Sequence, residues 1–149
     1  MGFCANLFFN TYLFTKRSLI VKKMKNAKKK TLDSRDDIEL LVDSFYSKVN
    51  EDELLAPIFS HVDWSVHLPI MYTFWATMLL GEQSYQGSPF DKHKYLPVQR
   101  LHFDRWVLLF CETVDEHFTG EKAEEAKSRG KHIAAVFQHK MNLFNASPK

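Results

Sequence analysis

Apolar residues recur at intervals of three and four along most of the chain beyond residue 35, which predicts amphipathic helices. The first helix starts near Asp36, with Asp33 or Ser34 as its N-cap, and buries Ile38, Leu41, Val42, Phe45 and Val49. The second ends at Gly81 and carries Trp64, Met71, Phe74, Trp75 and Met78. The third, about 99–118, carries Phe103, Trp106, Val107, Phe110, Val114 and Phe118. The fourth, about 121–144, carries Ala126, Ile133, Ala134, Phe137, Met141 and Phe144, and since no segment alternates like a strand, the pattern predicts an all-α fold.

Prolines shape the connections of this helical domain. Pro69 follows the start of the second helix, so that helix either begins close to Val66 or kinks at the proline. After Gly81 the chain becomes loop-like, and prolines bracket the short segment PFDKHKYLP. This segment is too short to form a stable helix by itself, so packing or a bond to another group must hold it.

The charge is distributed unevenly along the 149 residues, which have the length of one domain. Residues 1–35 contain nine Lys or Arg and one acidic residue, and therefore carry +8, whereas the remaining residues carry −6. The basic residues precede the folded part instead of covering one of its faces, which argues against nucleic-acid binding. We expect a basic, disordered extension (1–35), a helical domain (36–144) and a short tail (145–149).

The extension has further interpretations. Its apolar stretch is interrupted by Asn10 and Thr11 and is too short for a transmembrane helix. A start at Met24 and a basic amphipathic contact with a membrane surface both remain open. The two cysteines, Cys4 and Cys111, do not suggest a disulfide framework and favour a reducing compartment, and no C-x-x-C-H motif for covalent haem attachment is present.

Four side chains with polar groups lie on apolar stripes or in the proline-bracketed segment. Tyr46 lies on the buried side of the first helix, His67 precedes Met71 by four residues, Trp106 lies within the third stripe, and His93 lies in the short segment. Each has an ordinary interpretation, as a hydrogen-bonded core residue or a surface histidine. Together they suggest haem chemistry, with His93 as the axial imidazole and the other three as donors to a bound ligand.

These residues also carry a family resemblance. The ordered segments DSFYSKV, LAPIF, VHLPIMYTFWATMLLGEQSYQGSPFDKHKYLP and LHFDRWVLLF resemble the truncated (two-on-two) haemoglobins, and in particular their third group. The resemblance covers roughly seven-tenths of the chain. It implies a globin-like two-over-two helical sandwich that encloses haem b.

The resemblance also implies roles for individual residues. His93 would be the proximal iron ligand, with His102 as the next candidate, and Tyr46, His67 and Trp106 would stabilise the ligand on the distal side. Pro69 departs from the pattern, since it could turn His67 away from the ligand. The residues expected to line the pocket are Phe59, Met71, Phe74, Trp75 and Phe103.

The function expected from this resemblance is binding of O2, NO or CO at pentacoordinate haem iron in a bacterial cytoplasm. Three distal donors favour gas-ligand chemistry, such as NO detoxification or peroxide handling, over bulk oxygen storage. An enzymatic role would require an external reductase, because no flavin- or nicotinamide-binding G-x-G-x-x-G pattern is present. The alternatives are a cofactor-free helical interaction module and a haem sensor or haem-transfer protein.

Overall fold

The computed structural model describes residues 28–146, and the predicted all-α fold is confirmed there. Its helices are α1 (Arg35–Glu51), α2 (Trp64–Leu80), α3 (Pro89–His93), α4 (Arg100–His117) and α5 (Glu121–Ala146). Within these residues the one β-type pairing is an isolated parallel bridge between Lys30 and Phe118. No helix in this range combines the length and the apolar run that a membrane crossing requires.

The helices form two pairs stacked on each other. Helix α1 packs against α2, α4 packs against α5, and the pairs meet where α1 contacts α4 and α2 contacts α5. At the centre, the ring of Phe110 stacks on Trp75, with centroids 4.7 Å apart, and on Trp106, with centroids 5.3 Å apart. Helix α5 approaches this stack at Gly130, where a Cβ atom would lie only 2.7 Å from Phe110. This arrangement is the predicted two-over-two sandwich.

Of the two predicted caps for α1, Ser34 is the one used. Its hydroxyl accepts a hydrogen bond from the backbone N–H of Asp37, whose carboxylate accepts one from the backbone N–H of Ser34. This reciprocal pair satisfies two N–H groups that the first turn of a helix otherwise leaves unpaired. The predicted stripe of α1 is buried, and it faces α2 and α4.

Helix α2 begins earlier than the proline suggested. It starts at Trp64, two residues before the predicted Val66, and Pro69 is its sixth residue. Asp63 caps the helix by accepting a hydrogen bond from the backbone N–H of Ser65 at 3.0 Å. The turn before Pro69 is therefore anchored from its N-terminal side, and α2 continues to Leu80 before Gly81 ends it with φ 73°.

The expected disordered extension is wrong for its last residues. Leu32 has 0% exposure, and Lys30 forms backbone hydrogen bonds to His117 and from Thr119, at 3.2 and 3.0 Å. An ion pair between Lys30 and Asp37 adds to this contact. Leu32, at the end of the basic segment, therefore packs against the core together with these polar contacts of Lys30. The expectations for the apolar leader and for Met24 lie outside the described residues, and the predicted tail begins inside α5.

Candidate functional site

A cavity of about 830 Å³, counted with its open mouth, lies between the two helix pairs. All five helices, the connection between α1 and α2 and the connection between α3 and α4 contribute to its wall, and most of the lining side chains are apolar or aromatic. A concave site with an apolar wall and a few polar groups is typical of cofactor sites. The polar groups in the wall therefore decide what the cavity can bind.

His93 is the last residue of α3 and lies in the wall of this cavity. Its Nδ1 atom is 2.5 Å from the carbonyl oxygen of Pro89, one turn earlier. Because a carbonyl oxygen only accepts, Nδ1 carries the hydrogen, and the neutral imidazole keeps its lone pair on Nε2. Metal-binding histidines use this arrangement, in which the second nitrogen donates to a fixed acceptor.

His102 is the second imidazole in the same wall, and its hydrogen bonding is the opposite. Its Nδ1 atom accepts the backbone N–H of Gln99 at 2.9 Å and thereby caps the start of α4. The hydrogen of neutral His102 is therefore on Nε2, which leaves that atom without a lone pair for a metal. Of the two imidazoles, His93 is therefore the one with a free lone pair on Nε2.

Tyr46 and Trp106 line the same cavity as His93. Tyr46 is only 6% exposed, and within residues 28–146 its hydroxyl makes no hydrogen bond. Burial raises the pKa of Tyr46 well above its usual range, so the phenol remains a donor at any physiological pH. Trp106 is fixed by its stacking on Phe110, and over the same range its indole N–H is also unpaired. The cavity wall thus includes two hydrogen-bond donors that no group within residues 28–146 satisfies.

His67 lies in a second, more polar cavity of about 1350 Å³. Phe59, Met71, Pro89, His93 and Leu96 belong to the walls of both cavities, so the two are adjacent. The Nε2 atom of His67 is buried and has no hydrogen-bond partner in the described chain. Burial, and then the neighbouring His93, lower the pKa of His67, which favours its neutral form. The structure therefore places His67 beside the site rather than in the wall that Tyr46 and Trp106 share.

The residues predicted to line the pocket are all found in the wall of the first cavity: Phe59, Met71, Phe74, Trp75 and Phe103. Sequence reasoning missed the contribution of α5, which consists of Ile133, Ala134, Phe137 and Met141. These four residues belong to the predicted apolar stripe of α5, so the stripe was the signal that could have identified them. It also missed Trp64, whose ring contacts Tyr46, Phe59 and His67.

Comparison with known proteins identifies the family. Residues 18–142 match the model of the bacterial-like globin family. The group 3 truncated haemoglobin ctb of Campylobacter jejuni is 34% identical over 113 residues, which are 71% of this chain and 89% of that protein. The chain belongs to the group III truncated haemoglobins.

Solved and more distant relatives agree with this assignment. The crystal structure of a group III truncated haemoglobin from Campylobacter jejuni matches with a TM-score of 0.70 and 34% identity, over 76% of this chain and 95% of that one. The group 1 truncated haemoglobin GlbN of Nostoc commune is 37% identical over 68 residues, 45% of this chain and 58% of that protein. As a member of the globin family, this truncated haemoglobin is a haem-binding protein.

The residues that line the cavity fit a haem as the bound cofactor. A flat apolar cofactor requires a dry slot, and the wall supplies aromatic rings from α2, α4 and α5. One imidazole with a lone pair on Nε2 meets the need for a single axial ligand. The hydroxyl of Tyr46 and the indole N–H of Trp106, in the same wall, would supply donors for a ligand bound to such a group.

Proposed function

We propose that this truncated haemoglobin holds haem b through Nε2 of His93 and binds a small diatomic ligand, with Tyr46 and Trp106 as hydrogen-bond donors. The observation that carries the proposal is that one apolar cavity contains a metal-ready imidazole and two donors without protein partners. When bound, the haem supplies an iron with an open coordination position for O2, NO or CO.

The proximal side depends on the short helix α3. Its residue Pro89 both starts the helix and supplies the carbonyl that accepts the Nδ1–H of His93. This hydrogen bond fixes the tautomer and makes Nε2 more basic. The ring of Phe137 packs against the imidazole, with ring centroids 5.6 Å apart, and limits its rotation.

On the distal side, a ligand that gains negative charge on binding is stabilised by donors already held in place. Tyr46 is such a donor because its phenol stays protonated, and Trp106 is another because an indole N–H can only donate. We include His67 as a third donor, acting from the adjacent cavity. Several donors slow the release of O2, which suits reaction with the ligand better than its storage.

We therefore assign the protein to gas-ligand chemistry such as NO detoxification or peroxide handling, rather than bulk oxygen storage. Turnover in either reaction needs electrons, and an external reductase is the proposed source. The proposed compartment is the bacterial cytoplasm, with which the free thiol of Cys111 is consistent.

An absorption spectrum of the purified, reduced protein with and without CO tests this proposal. We expect a strong Soret band that shifts when CO is added. A His93→Ala variant should lose the pigment, whereas His102→Ala should keep it, because the two imidazoles have opposite tautomers. A colourless wild-type protein that takes up no hemin would instead support a cofactor-free module, and rapid loss of haem to an acceptor protein would support a haem-transfer role.

A further inference from the structure

Trp64 is a partly buried aromatic residue that does not line either cavity. Its ring nevertheless contacts three side chains that line one or both of them. Its ring centroid is 5.1 Å from that of Tyr46, 5.7 Å from that of His67 and 6.2 Å from that of Phe59. Tyr46 belongs to the first cavity, His67 to the second and Phe59 to both. Trp64 thus lies behind the junction of the two cavities, as a common support for their walls.

The rings of Tyr46 and His67 are positioned by packing, and Tyr46 also contacts Phe45, with centroids 4.9 Å apart. Within residues 28–146 the Tyr46 hydroxyl makes no hydrogen bond, and the buried Nε2 of His67 has no partner. The orientation of each ring is therefore set by packing. Tyr46 contacts His67 edge to face at 5.8 Å, and Trp64 contacts both rings, so the three form one mutually packed cluster.

The backbone of Trp64 is fixed by the cap at the start of α2. Trp64 is the first residue of α2, directly after the capping residue Asp63, whose carboxylate accepts from the backbone N–H and the hydroxyl of Ser65, at 3.0 and 2.6 Å. His67 is three positions after Trp64, a spacing that puts both on one helix face. At the start of α2, Trp64 therefore lies on the same helix face as His67 and packs against the ring of Tyr46.

We propose that Trp64 is a positioning residue that holds Tyr46 and His67 in the orientation in which they donate to a bound diatomic ligand. The inference rests on the proposed function, because it concerns the donors assigned there. The inference assigns a role to a residue that does not touch the ligand. It also explains what keeps the rings of Tyr46 and His67 from rotating, since within residues 28–146 neither the Tyr46 hydroxyl nor Nε2 of His67 forms a hydrogen bond.

The test uses the C–O stretching band of the CO complex, because this band responds to hydrogen bonds made to the ligand. Replacement by leucine, Trp64→Leu, removes the ring, and Trp64→Phe keeps an aromatic ring at the same place. We expect Trp64→Leu to broaden or split the band and to raise the O2 dissociation rate about threefold to tenfold, since a misaligned hydrogen bond loses part of its strength. Trp64→Phe should restore most of the wild-type band.

Two further variants calibrate the result. Tyr46→Phe defines the band of a pocket that lacks the phenol donor, and Phe144→Leu removes an aromatic ring, 39% exposed, at the far end of α5. The Phe144→Leu band should match the wild type. All spectra are compared at equal haem content per chain, so a variant that folds poorly contributes only its loaded fraction.

The inference would be overturned if haem-loaded Trp64→Leu kept the C–O band and the O2 dissociation rate of the wild type. It would also be overturned if the band of Trp64→Phe were as broad or as split as that of Trp64→Leu. Failure of the proposed function itself gives a different outcome, because then the wild-type protein shows no Soret band and no CO complex to measure. The two failures are therefore distinguishable in the first spectrum.

Discussion

The substitution Tyr46→Phe separates ligand binding from folding more cleanly than any other change at the site. It deletes one oxygen atom and leaves the ring that packs against Phe45, Trp64 and His67, at centroid distances of 4.9 to 5.8 Å. In the described chain the deleted hydroxyl has no hydrogen-bond partner. The substitution therefore removes a donor without breaking a contact within the protein.

The expected effects have opposite directions for the two properties. A hydrogen bond to a charged acceptor contributes about 1.5–3 kcal/mol, so its loss should speed O2 dissociation roughly tenfold to a hundredfold. Burying an unpaired hydroxyl costs about 1–3 kcal/mol where water does not reach it. The free energy of unfolding of Tyr46→Phe should therefore equal or exceed that of the wild type.

Both properties can be measured on one preparation. Stopped-flow displacement of O2 by excess CO gives the dissociation rate, and urea unfolding of the same sample gives the stability. An unchanged dissociation rate would remove Tyr46 from the donors. A large loss of stability would show instead that the hydroxyl has a structural partner, and the reasoning from its unpaired state would fail.

Three other predictions concern stability. Gly130→Ala should lower the free energy of unfolding by about 1–3 kcal/mol in urea, because the new methyl group would overlap the ring of Phe110. Asp52→Ala removes a 2.7 Å ion pair to α4 and two backbone caps and should cost about 1–3 kcal/mol by the same assay, whereas its control Asp104→Ala, on an exposed pair, should cost less than about 0.5 kcal/mol. Burial lowers the pKa of His117 from 6.5, so below about pH 6.5 the unfolded chain binds a proton that the folded chain does not. The melting temperature should therefore fall as the pH drops below about 6.5, and His117→Leu should make that fall less steep. An equally steep fall in the variant would contradict this prediction.

The sequence predicted the elements of this fold well because the helices are strongly periodic. The stripe of α1 and the ends of α4 follow from local patterns, whereas the short helix α3 lies in a stretch that the sequence predicts as loop-like. The start of α2 at Trp64 lies within two residues of the predicted Val66, and the Asp63 cap tolerates a proline one turn inside the helix. The docking of Leu32 was missed because one apolar residue within a basic run has no periodicity.

Residues of the site were predictable to the extent that a polar group stood in an apolar stripe. This rule identified Tyr46 and Trp106, and the proline-bracketed segment identified His93; the three residues share one cavity. It could not divide the wall into two cavities or place His67 in the second, because that depends on where the chain after α2 runs. It also passed over Trp64, since an aromatic residue beside aromatic residues looks like ordinary core.

The unpaired donors are the feature that connects fold and function. A core selected for stability alone would pair the Tyr46 hydroxyl or replace it with phenylalanine, because a buried polar group without a partner weakens the folded state. The chain keeps this hydroxyl and the Trp106 indole in the wall of the cavity that also contains His93, and it keeps the His67 imidazole in the adjacent cavity. Polar groups that gather around two adjoining cavities in this way are best explained by a ligand that binds there, and rings such as Trp64 then hold those groups in place for it.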